Sequence, residues 1–491
     1  MIIKSIKTSL SISLFIGISM GCETAVTTKN ADNPGYSAEV EARIDRVINN
    51  LQVGTEFDNV YESKSLTSQM EKYHTPGVSI AVINEGTVEW ARGFGKSDVE
   101  SGAPVDIHTL FEAGSVSKPI FAMAVMKLKE KGVLDLDKDV NEYLRSWKVP
   151  KNGDWQPKIS LRQLLSHTAG LTVHGFPGYL KSEPIPTVPQ ILNGEPPANT
   201  GPVKVNILPG TTLRYSGGGT TVAQLVVMDH LDQSFPAIIQ KELFAPLELQ
   251  YSTYQQPLPD SLESIASTAY PYKGKPINGR FHTYPEMAAA GLWSNPSELA
   301  TLLIEVQKAL KGESSLFQKE TIEEMLTPQK VAQQVGIGFF LDHQGDSARF
   351  GHGGWDEGFV TQVTAFQTQG KGAVIMVNSN EGNSLLREIM RAIAIEYNWP
   401  GYMPAATEYV PVDINEIQDF QGIYASTKGS KFEIDLANDA LTLQYDNQDP
   451  IPLLRTDEGA YTHDQFNFNL TFEEGVLHFN QRGRTVKYMK E

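Results

Sequence analysis

The sequence predicts an α+β fold of interleaved strands and helices, followed by a small antiparallel β domain. Two β-rich runs at 77–83 and 87–91 flank the turn residues Asn84-Glu85-Gly86, which is the pattern of a β-hairpin. Helical patterns follow, and an unbroken apolar run at 372–378 is typical of a buried strand. Beyond Trp399-Pro400-Gly401 apolar and polar residues alternate in short runs separated by turn residues, which indicates antiparallel strands.

Helices are predicted from apolar spacing and from the residues at their ends. One helix follows Ser115 and ends near Gly132, and Ser160 has the position of an N-cap for another. Further helical patterns cover 38–70 with polar interruptions, 221–243, 296–310 and 385–397. Residues 172–209 are rich in proline and glycine and lack periodicity, so we expect a long surface loop near the functional site.

Charge and composition exclude several classes of function. The chain has 41 Lys and Arg against 58 Asp and Glu, a formal charge of −17, and no basic stripe, which disfavours nucleic-acid binding. A single cysteine permits neither an internal disulfide nor a cysteine-based metal site, and no His-Glu-x-x-His occurs. We therefore predict no cofactor and no metal, and we interpret His167 and His174 as structural residues.

The N-terminus has the pattern of an export signal. Two lysines precede a short apolar run that ends in Ser19-Met20-Gly21-Cys22, a pattern that resembles a bacterial lipoprotein signal whose cysteine is lipidated. Ser19 replaces the usual leucine, so an ordinary cleaved signal with an incidental cysteine is the alternative. We predict a signal peptide at 1–22 and a polar tether at 23–37. They would place the chain on a bacterial membrane through a lipid anchor at Cys22, facing the periplasm or the cell exterior.

The first chemical motif is Ser115-Val116-Ser117-Lys118, the only Ser-x-x-Lys in the chain. Residues three apart on a helix share a face, so the Lys118 amine can reach the Ser115 hydroxyl and activate it as a nucleophile. A helix N-terminus also directs backbone N–H groups at a developing oxyanion. The alternative is a helix cap followed by a surface lysine.

Two further motifs follow in the chain. Tyr215 precedes the glycine-rich stretch Gly217-Gly218-Gly219, and a tyrosine beside a lysine can serve as a general base. His352-Gly353-Gly354 then brings a histidine to a segment whose glycines allow close approach of a substrate. Taken singly, each motif could equally be structural.

Together, these motifs resemble the class C β-lactamase and D-alanyl-D-alanine carboxypeptidase family, which also contains esterases and D-aminopeptidases. Ser166-His167-Thr168 and Glu112-Ala113-Gly114 add to the resemblance, which runs from about residue 78 to 397. It implies an antiparallel sheet flanked by helices, with an all-helical lobe, over a hydrolase domain at 38–400. A small antiparallel β domain, a lipocalin-like barrel, is expected at 409–491.

The resemblance also implies roles for individual residues. Ser115 would be the nucleophile, with Lys118 and Tyr215 sharing the proton transfers. Ser115 and Trp355 would supply the oxyanion-hole N–H groups, and His352, Gly353 and Gly354 would bind substrate. Histidine at position 352 is typical of the esterase-like members, whereas β-lactamases have lysine there.

One position departs from the family pattern. In the family, the residue two positions after the motif tyrosine is usually an asparagine that hydrogen-bonds the substrate amide. In this chain that residue is Gly217. The resemblance therefore favours a serine hydrolase acting on an ester, a D-amino peptide or a related acyl donor, with esters first. A true β-lactamase or DD-carboxypeptidase is the alternative within the family, and a non-catalytic binding lipoprotein is the alternative outside it.

Overall fold

The computed structural model describes residues 34–52, 55–57, 63–402, 405–412, 414–427, 429–437, 440–445, 450–463, 468–481 and 484–491. These residues belong to one compact unit. Cys22, the predicted signal peptide and most of the predicted tether lie outside the described residues. None of the described helices combines the length and apolarity needed to cross a membrane.

The first part of the chain is built around a six-stranded antiparallel sheet. The strands up to residue 407 are β1 (Thr55–Phe57), β2 (Gly77–Asn84), β3 (Thr87–Gly95), β4 (Phe111–Glu112), β5 (Trp293–Ser294), β6 (Phe340–Asp342), β7 (Arg349–Asp356), β8 (Phe359–Phe366), β9 (Gly372–Val377) and β10 (Ala405–Thr407). The strand order of the six-stranded sheet is β3-β2-β9-β8-β7-β6. The hairpin β2–β3 and the buried strand β9 confirm the sequence prediction.

Helices lie along the sheet and fill a lobe beside it. The helices are α1 (Ala38–Ile48), α2 (Leu66–Lys72), α3 (Ser117–Glu130), α4 (Leu161–Leu165), α5 (Val188–Asn193), α6 (Gly217–Leu231), α7 (Phe235–Ile239), α8 (Asp260–Glu263), α9 (Met287–Ala290), α10 (Pro296–Lys311), α11 (Lys319–Met325), α12 (Asn383–Glu396) and α13 (Ile414–Ile417). A π-helical turn, Gln240–Phe244, extends α7. Shorter 3₁₀ turns are Gly114–Val116, Val140–Glu142, Gly345–Ser347, Asn380–Gly382 and Gln418–Phe420. The lobe consists of α3 to α9, between β4 and β5.

The two faces of the sheet are buried separately because side chains alternate along each strand. Val78, Ile80 and Val82 of β2 pack in one cluster with α1 and α12. Ala81 and Ile83 belong to the larger cluster on the other face, which α3 and α10 help to form. This arrangement confirms the predicted antiparallel sheet flanked by helices.

Two sequence predictions differ from the structure. The helix-like region at 38–70 is divided into α1 and α2, with β1 between them. Residues 172–209 are not a simple surface loop, because they contain α5 and bury Ile191 and Val203 completely. Prolines and glycines interrupt this segment, so its buried apolar residues do not recur at the regular spacing that would predict a helix or a strand.

The C-terminal part is a nine-stranded sheet with its own core. Its strands are β11 (Gly422–Ala425), β12 (Lys431–Ala437), β13 (Ala440–Tyr445), β14 (Ile451–Pro452), β15 (Leu454–Arg455), β16 (Tyr461–Thr462), β17 (Asn469–Glu473), β18 (Val476–Gln481) and β19 (Arg484–Lys490). Its edge strands, β14 and β15, are separated in the chain by Leu453 alone, so the sheet is a nearly closed barrel. The exact division of the chain into domains stays a prediction.

Candidate active site

Ser115 lies in the 3₁₀ turn Gly114–Val116, immediately before α3. It is partly exposed, whereas the residues on both sides of it, 111–114 and 116–126, are buried. Lys118 follows in the first turn of α3, and Pro119 also lies in that turn, where a missing N–H costs little. The local structure thus presents one hydroxyl to solvent from an otherwise buried segment.

Lys118 is held by two oxygen atoms. Its Nζ lies 2.9 Å from the Ser115 Oγ and 2.7 Å from the Ala289 carbonyl oxygen. The side chain is only 3% exposed, so these contacts replace most of its hydration. In the neutral form, the amine can keep one N–H on Ala289 and offer its lone pair to the Ser115 proton, which is the arrangement of an activated nucleophile.

Tyr215 lies next to this pair. The Lys118 Nζ is 5.0 Å from the centroid of the Tyr215 ring. The ring is fixed by aromatic neighbours, with centroid distances of 4.2 Å to His167 and 4.9 Å to His174. The structure therefore brings the three predicted catalytic side chains together.

The glycine-rich stretch after Tyr215 forms the start of a helix. Gly217 is the first residue of α6, and the Ser216 side chain caps it. The Gly217 N–H donates to the His174 carbonyl oxygen at 2.9 Å. Segment 172–174 therefore covers the N-terminus of α6.

This cover explains why glycine stands at position 217. A Cβ there would lie 3.0 Å from the His174 carbonyl oxygen and 3.1 Å from the Phe176 ring. Gly217 does not line either cavity described below. His174 and Phe176, which lie beside Gly217, do line the smaller cavity, and the substrate-binding role of Gly217 stays a prediction.

His352 lies within β7 and is 4% exposed. Its Nδ1 is 2.6 Å from the Gly353 carbonyl oxygen, and its Nε2 is buried without a hydrogen-bond partner. Burial, with Lys118 nearby, lowers the pKa of His352 to about 3. The same two causes, burial first, lower the pKa of His167 well below its usual value. Both imidazoles are therefore neutral at neutral pH.

The two segments that carry the predicted oxyanion donors lie against each other. A Cβ on Gly114, whose φ is +53°, would lie only 2.5 Å from the backbone nitrogen of Trp355. Only glycine permits this approach and this φ. The backbones before Ser115 and at Trp355 are thus neighbours, as an oxyanion hole formed by their N–H groups requires.

Two cavities meet at Ser115. One has a volume of about 570 Å³ and extends along β7 and β8, and the other, of about 380 Å³, extends toward Phe176 and α9. Both are lined by Ser115, His174, Tyr215 and Trp355. A larger cavity of about 660 Å³ lies elsewhere, and none of the predicted site residues lines it.

Some residues that lie beside the site were not assigned to it from the sequence. His167 and His174, interpreted as structural, pack directly on Tyr215. The available signal was the family segment Ser166-His167-Thr168, which contains His167 and precedes His174 in the chain. The burial of Glu112, which belongs to a family motif, and of Asp356 was not indicated by the sequence, because an acidic residue usually indicates a surface position.

Comparisons with known proteins agree with this geometry. The sequence profile of the beta-lactamase family matches residues 63–397. Protein flp of Staphylococcus aureus is 27% identical over 194 residues, which are 39% of this chain and 38% of that protein. Esterase EstB of Burkholderia gladioli is 30% identical over 149 residues, 30% of this chain and 33% of the esterase. The matched segments thus span well under half of either relative.

Solved structures give the same fold. The octameric penicillin-binding protein homologue from Pyrococcus abyssi superposes with a TM-score of 0.59 and 20% identity, covering 87% of this chain and 98% of that one. Such a likeness concerns the fold alone. The family match covers most of the chain and agrees with the resemblance carried by the motifs, and on that basis the chain belongs to the beta-lactamase family, whose members are serine hydrolases.

Proposed function

We propose that this protein is an acyl-transferring serine hydrolase that cleaves short, uncharged carboxylic esters. The observation that carries the proposal is that Ser115 is partly exposed where two cavities meet, with its Oγ 2.9 Å from the buried Lys118 amine. A binding protein has no need to bury a lysine against a serine hydroxyl.

The reaction follows from the positions of these groups. The Ser115 Oγ attacks the ester carbonyl while its proton passes to neutral Lys118, with Tyr215 close enough to share the transfer. The backbone N–H groups of Ser115 and Trp355 hold the tetrahedral oxyanion. The leaving alcohol takes the proton, and water then releases the acid from the acyl-enzyme.

The charge of the cavities supports an uncharged substrate. Among the described residues that line them, Lys118 is the one lysine or arginine, and it is already held by Ser115 and Ala289. Asp356 and Glu357 add acidic groups to the smaller cavity. A β-lactam or a peptide C-terminus brings a carboxylate, and the described linings of these two cavities offer no free lysine or arginine to pair with it.

The asparagine position supports esters over amides. Gly217 offers no side chain to hold a substrate amide, and His174 and Phe176 occupy the space beside it. A lost hydrogen bond of this kind costs about 0.5–1.5 kcal/mol, so an amide-bearing β-lactam loses up to about tenfold in rate. A compact ester has no such contact to lose. The likeness to esterase EstB is in line with this preference.

A matched substrate panel tests the proposal. We expect kcat/KM to be higher for a 4-methylumbelliferyl ester with a terminal methyl group than for one of equal length with a terminal carboxylate. A chromogenic cephalosporin and a D-aminoacyl anilide should be turned over slowly or not at all. Ser115→Ala is the background control. Efficient cephalosporin turnover by the native protein would instead assign it to the true β-lactamases.

We further propose that the protein is a lipoprotein anchored through Cys22. The support is the sequence alone, in which the single cysteine follows a short apolar run. The native protein should partition into detergent, and Cys22→Ser should move it to the aqueous phase. A mature chain that begins beyond Cys22 would refute the anchor.

A further inference from the structure

The smaller of the two cavities at the nucleophile has an apolar wall. Phe176 and Ala290, which are 8% and 7% exposed, line it together with Ala289. These three residues form a hydrophobic cluster with Ile191 and Tyr284 that is separate from the main core. The Ala289 carbonyl oxygen is the one that holds the catalytic lysine, so the wall begins beside the reacting atoms.

One side of this wall is carried by segment 172–177, whose start is tied to the beginning of α6. The Ser216 Oγ lies 2.7 Å from the Thr172 carbonyl oxygen and 3.1 Å from the Val173 carbonyl oxygen. The Gly218 N–H donates to the same Val173 oxygen at 3.1 Å. The segment is therefore fixed to a helix and does not move aside freely for a long substrate.

The chain just beyond the segment is anchored as well. Backbone hydrogen bonds of 2.9 and 2.7 Å join Tyr179 and Thr283. A Cβ on Gly178, whose φ is +75°, would lie only 2.6 Å from the Tyr284 ring, so only glycine permits this approach. Phe176 thus lies in the chain between two anchored points, and backbone contacts on both sides set its position.

Val173 is held in a strained backbone conformation. Its φ is +62°, in the left-handed region that β-branched residues avoid. Such strain persists only where surrounding contacts over-determine it, and it is concentrated at functional sites. The strain and the anchors together indicate a segment whose shape serves the cavity as well as the packing.

The larger cavity has a different lining. It includes three amide side chains, Gln362, Asn380 and Asn383, of which Asn383 is exposed and the other two are partly exposed. The described lining of the smaller cavity contains no amide side chain. Amides with access to water suit a departing alcohol better than an alkyl chain.

The order of the reaction also separates the two cavities. Water must attack the acyl-enzyme from the side that the alcohol has left, because the second step repeats the first in reverse with water in place of the alcohol. The acyl group stays on Ser115 throughout and needs no access to water. Tyr215 lines both cavities, so it can serve the proton transfers on the alcohol side.

We propose that the smaller cavity holds the acyl group of the ester, that the alcohol occupies the larger cavity, and that Phe176 and Ala290 set the acyl length. This role for the cavities rests on the proposed ester hydrolysis and extends it. A short acyl chain ends against the fixed wall, whereas a longer chain has to displace the Phe176 ring. Neither residue takes part in the proton transfers.

The test is kcat/KM of the full-length protein for 4-methylumbelliferyl esters with straight acyl chains from acetate to decanoate. We expect the native protein to prefer chains no longer than butyrate. Phe176→Ala should raise the ratio of octanoate to acetate about tenfold or more, because one methylene in an apolar pocket is worth about 10–200-fold. Ala290→Val, which adds carbon to the lining, should lower the ratio of butyrate to acetate.

Two further variants keep this test decisive. Ile191→Val is the matched control, since Ile191 is fully buried in the same cluster and lines neither cavity, and its acyl preference should equal that of the native protein. Phe176→Leu keeps an apolar side chain beside Gly217 and should change the ratio in the same direction as Phe176→Ala, even if the alanine variant does not fold. An unchanged acyl preference in the folded Phe176 variants would overturn the proposal.

A second series tests which half of the ester each cavity takes. Among acetate esters of straight-chain alcohols, from ethyl to octyl, Phe176→Ala should keep the native order of kcat/KM. A change confined to this alcohol series would show that the smaller cavity takes the alcohol, and it would overturn the assignment.

Ester hydrolysis and the assignment of the cavities can fail separately. If the native protein cleaves none of these esters, the proposed function fails. The smaller cavity is then judged by saturation-transfer NMR on Ser115→Ala, with ethyl butyrate and ethyl octanoate as probes. Relatively stronger octanoate binding after Phe176→Ala is added would support the acyl-length role. Unchanged relative binding, or no binding of either probe, would overturn it.

Discussion

Gly217 lies so close to Phe176 that a Cβ at position 217 would be 3.1 Å from the ring. The Gly217 N–H also donates to the His174 carbonyl oxygen at 2.9 Å, so this hydrogen bond holds the backbones of Gly217 and His174 together. The missing asparagine of the family motif is therefore part of a different packing arrangement, in which segment 172–176 closes over the start of α6.

This packing predicts the stability of two matched alanine variants. Gly217→Ala should lower the free energy of unfolding by about 1–2 kcal/mol, because overpacking against a fixed backbone is costly. Gly175→Ala is the control: a Cβ there has no neighbour within 4 Å, and reduced freedom of the unfolded chain should make the protein slightly more stable. Urea unfolding measures the free energy of unfolding of both variants. Equal stability of the two variants would show that segment 172–176 shifts to accommodate the added Cβ at little cost.

Lys118→Ala and Tyr215→Phe should each lower kcat/KM for an ester by roughly 10²–10⁴-fold, since each removes acid–base assistance. Tyr215→Phe keeps the ring that packs on His167 and His174, so it isolates the hydroxyl group. Lys129→Ala, on the same helix but paired with Glu324, is the control and should retain activity. Full activity in Tyr215→Phe would remove the tyrosine from the proton transfer.

Glu286 predicts a pH-dependent stability. It is fully buried with both oxygens unpaired, and burial raises its pKa to about 8. Between about pH 4.5 and about pH 8 the folded protein keeps a proton on Glu286 that the unfolded chain has released. The stabilisation from this proton is therefore fully present below about pH 4.5 and is lost as the pH rises to about 8. At about 1.4 kcal/mol per unit of pKa, the loss is on the order of a few kcal/mol.

Glu286→Gln removes this titration. Its free energy of unfolding should fall less between pH 5 and pH 8 than that of the native protein. Urea denaturation at several pH values gives the two slopes. An identical slope in the variant would mean that Glu286 does not hold the proton.

Much of the fold follows from local pattern. The hairpin β2–β3, the fully apolar β9 and the Ser160 cap of α4 have signals contained within a few residues, and the structure has them where predicted. The alternation after residue 410 likewise predicts the C-terminal strands. The Ser-x-x-Lys spacing predicts the contact of Ser115 with Lys118, because a single helical turn sets it.

Features that depend on distant packing could not be predicted in this way. Three successive glycines after Tyr215 have low helix propensity, and they form the first turn of α6 only because segment 172–174 packs there. Glu112 and Asp356 are separated by more than 200 residues in the sequence, and nothing near either one indicates burial. The burial of segment 172–209 depends on the same long-range contacts.

The C-terminal sheet is predicted to supply no catalytic group. All described residues that line the two cavities at Ser115 precede residue 400, and the sheet has its own hydrophobic cluster. Because β10 at 405–407 pairs with β1, a truncated chain that lacks the C-terminal sheet should end at Glu408 and so keep this pairing. If circular dichroism shows that this chain folds, it should retain ester hydrolysis. A folded truncation without activity would show that the second part of the chain completes the site.

The most direct test of the account is to identify the residue that becomes covalently modified. The native protein should react with a fluorophosphonate, and peptide mass mapping should place the adduct on Ser115, with no adduct in Ser115→Ala. An adduct on another serine, or undiminished labelling of Ser115→Ala, would contradict the assignment of Ser115 as the nucleophile.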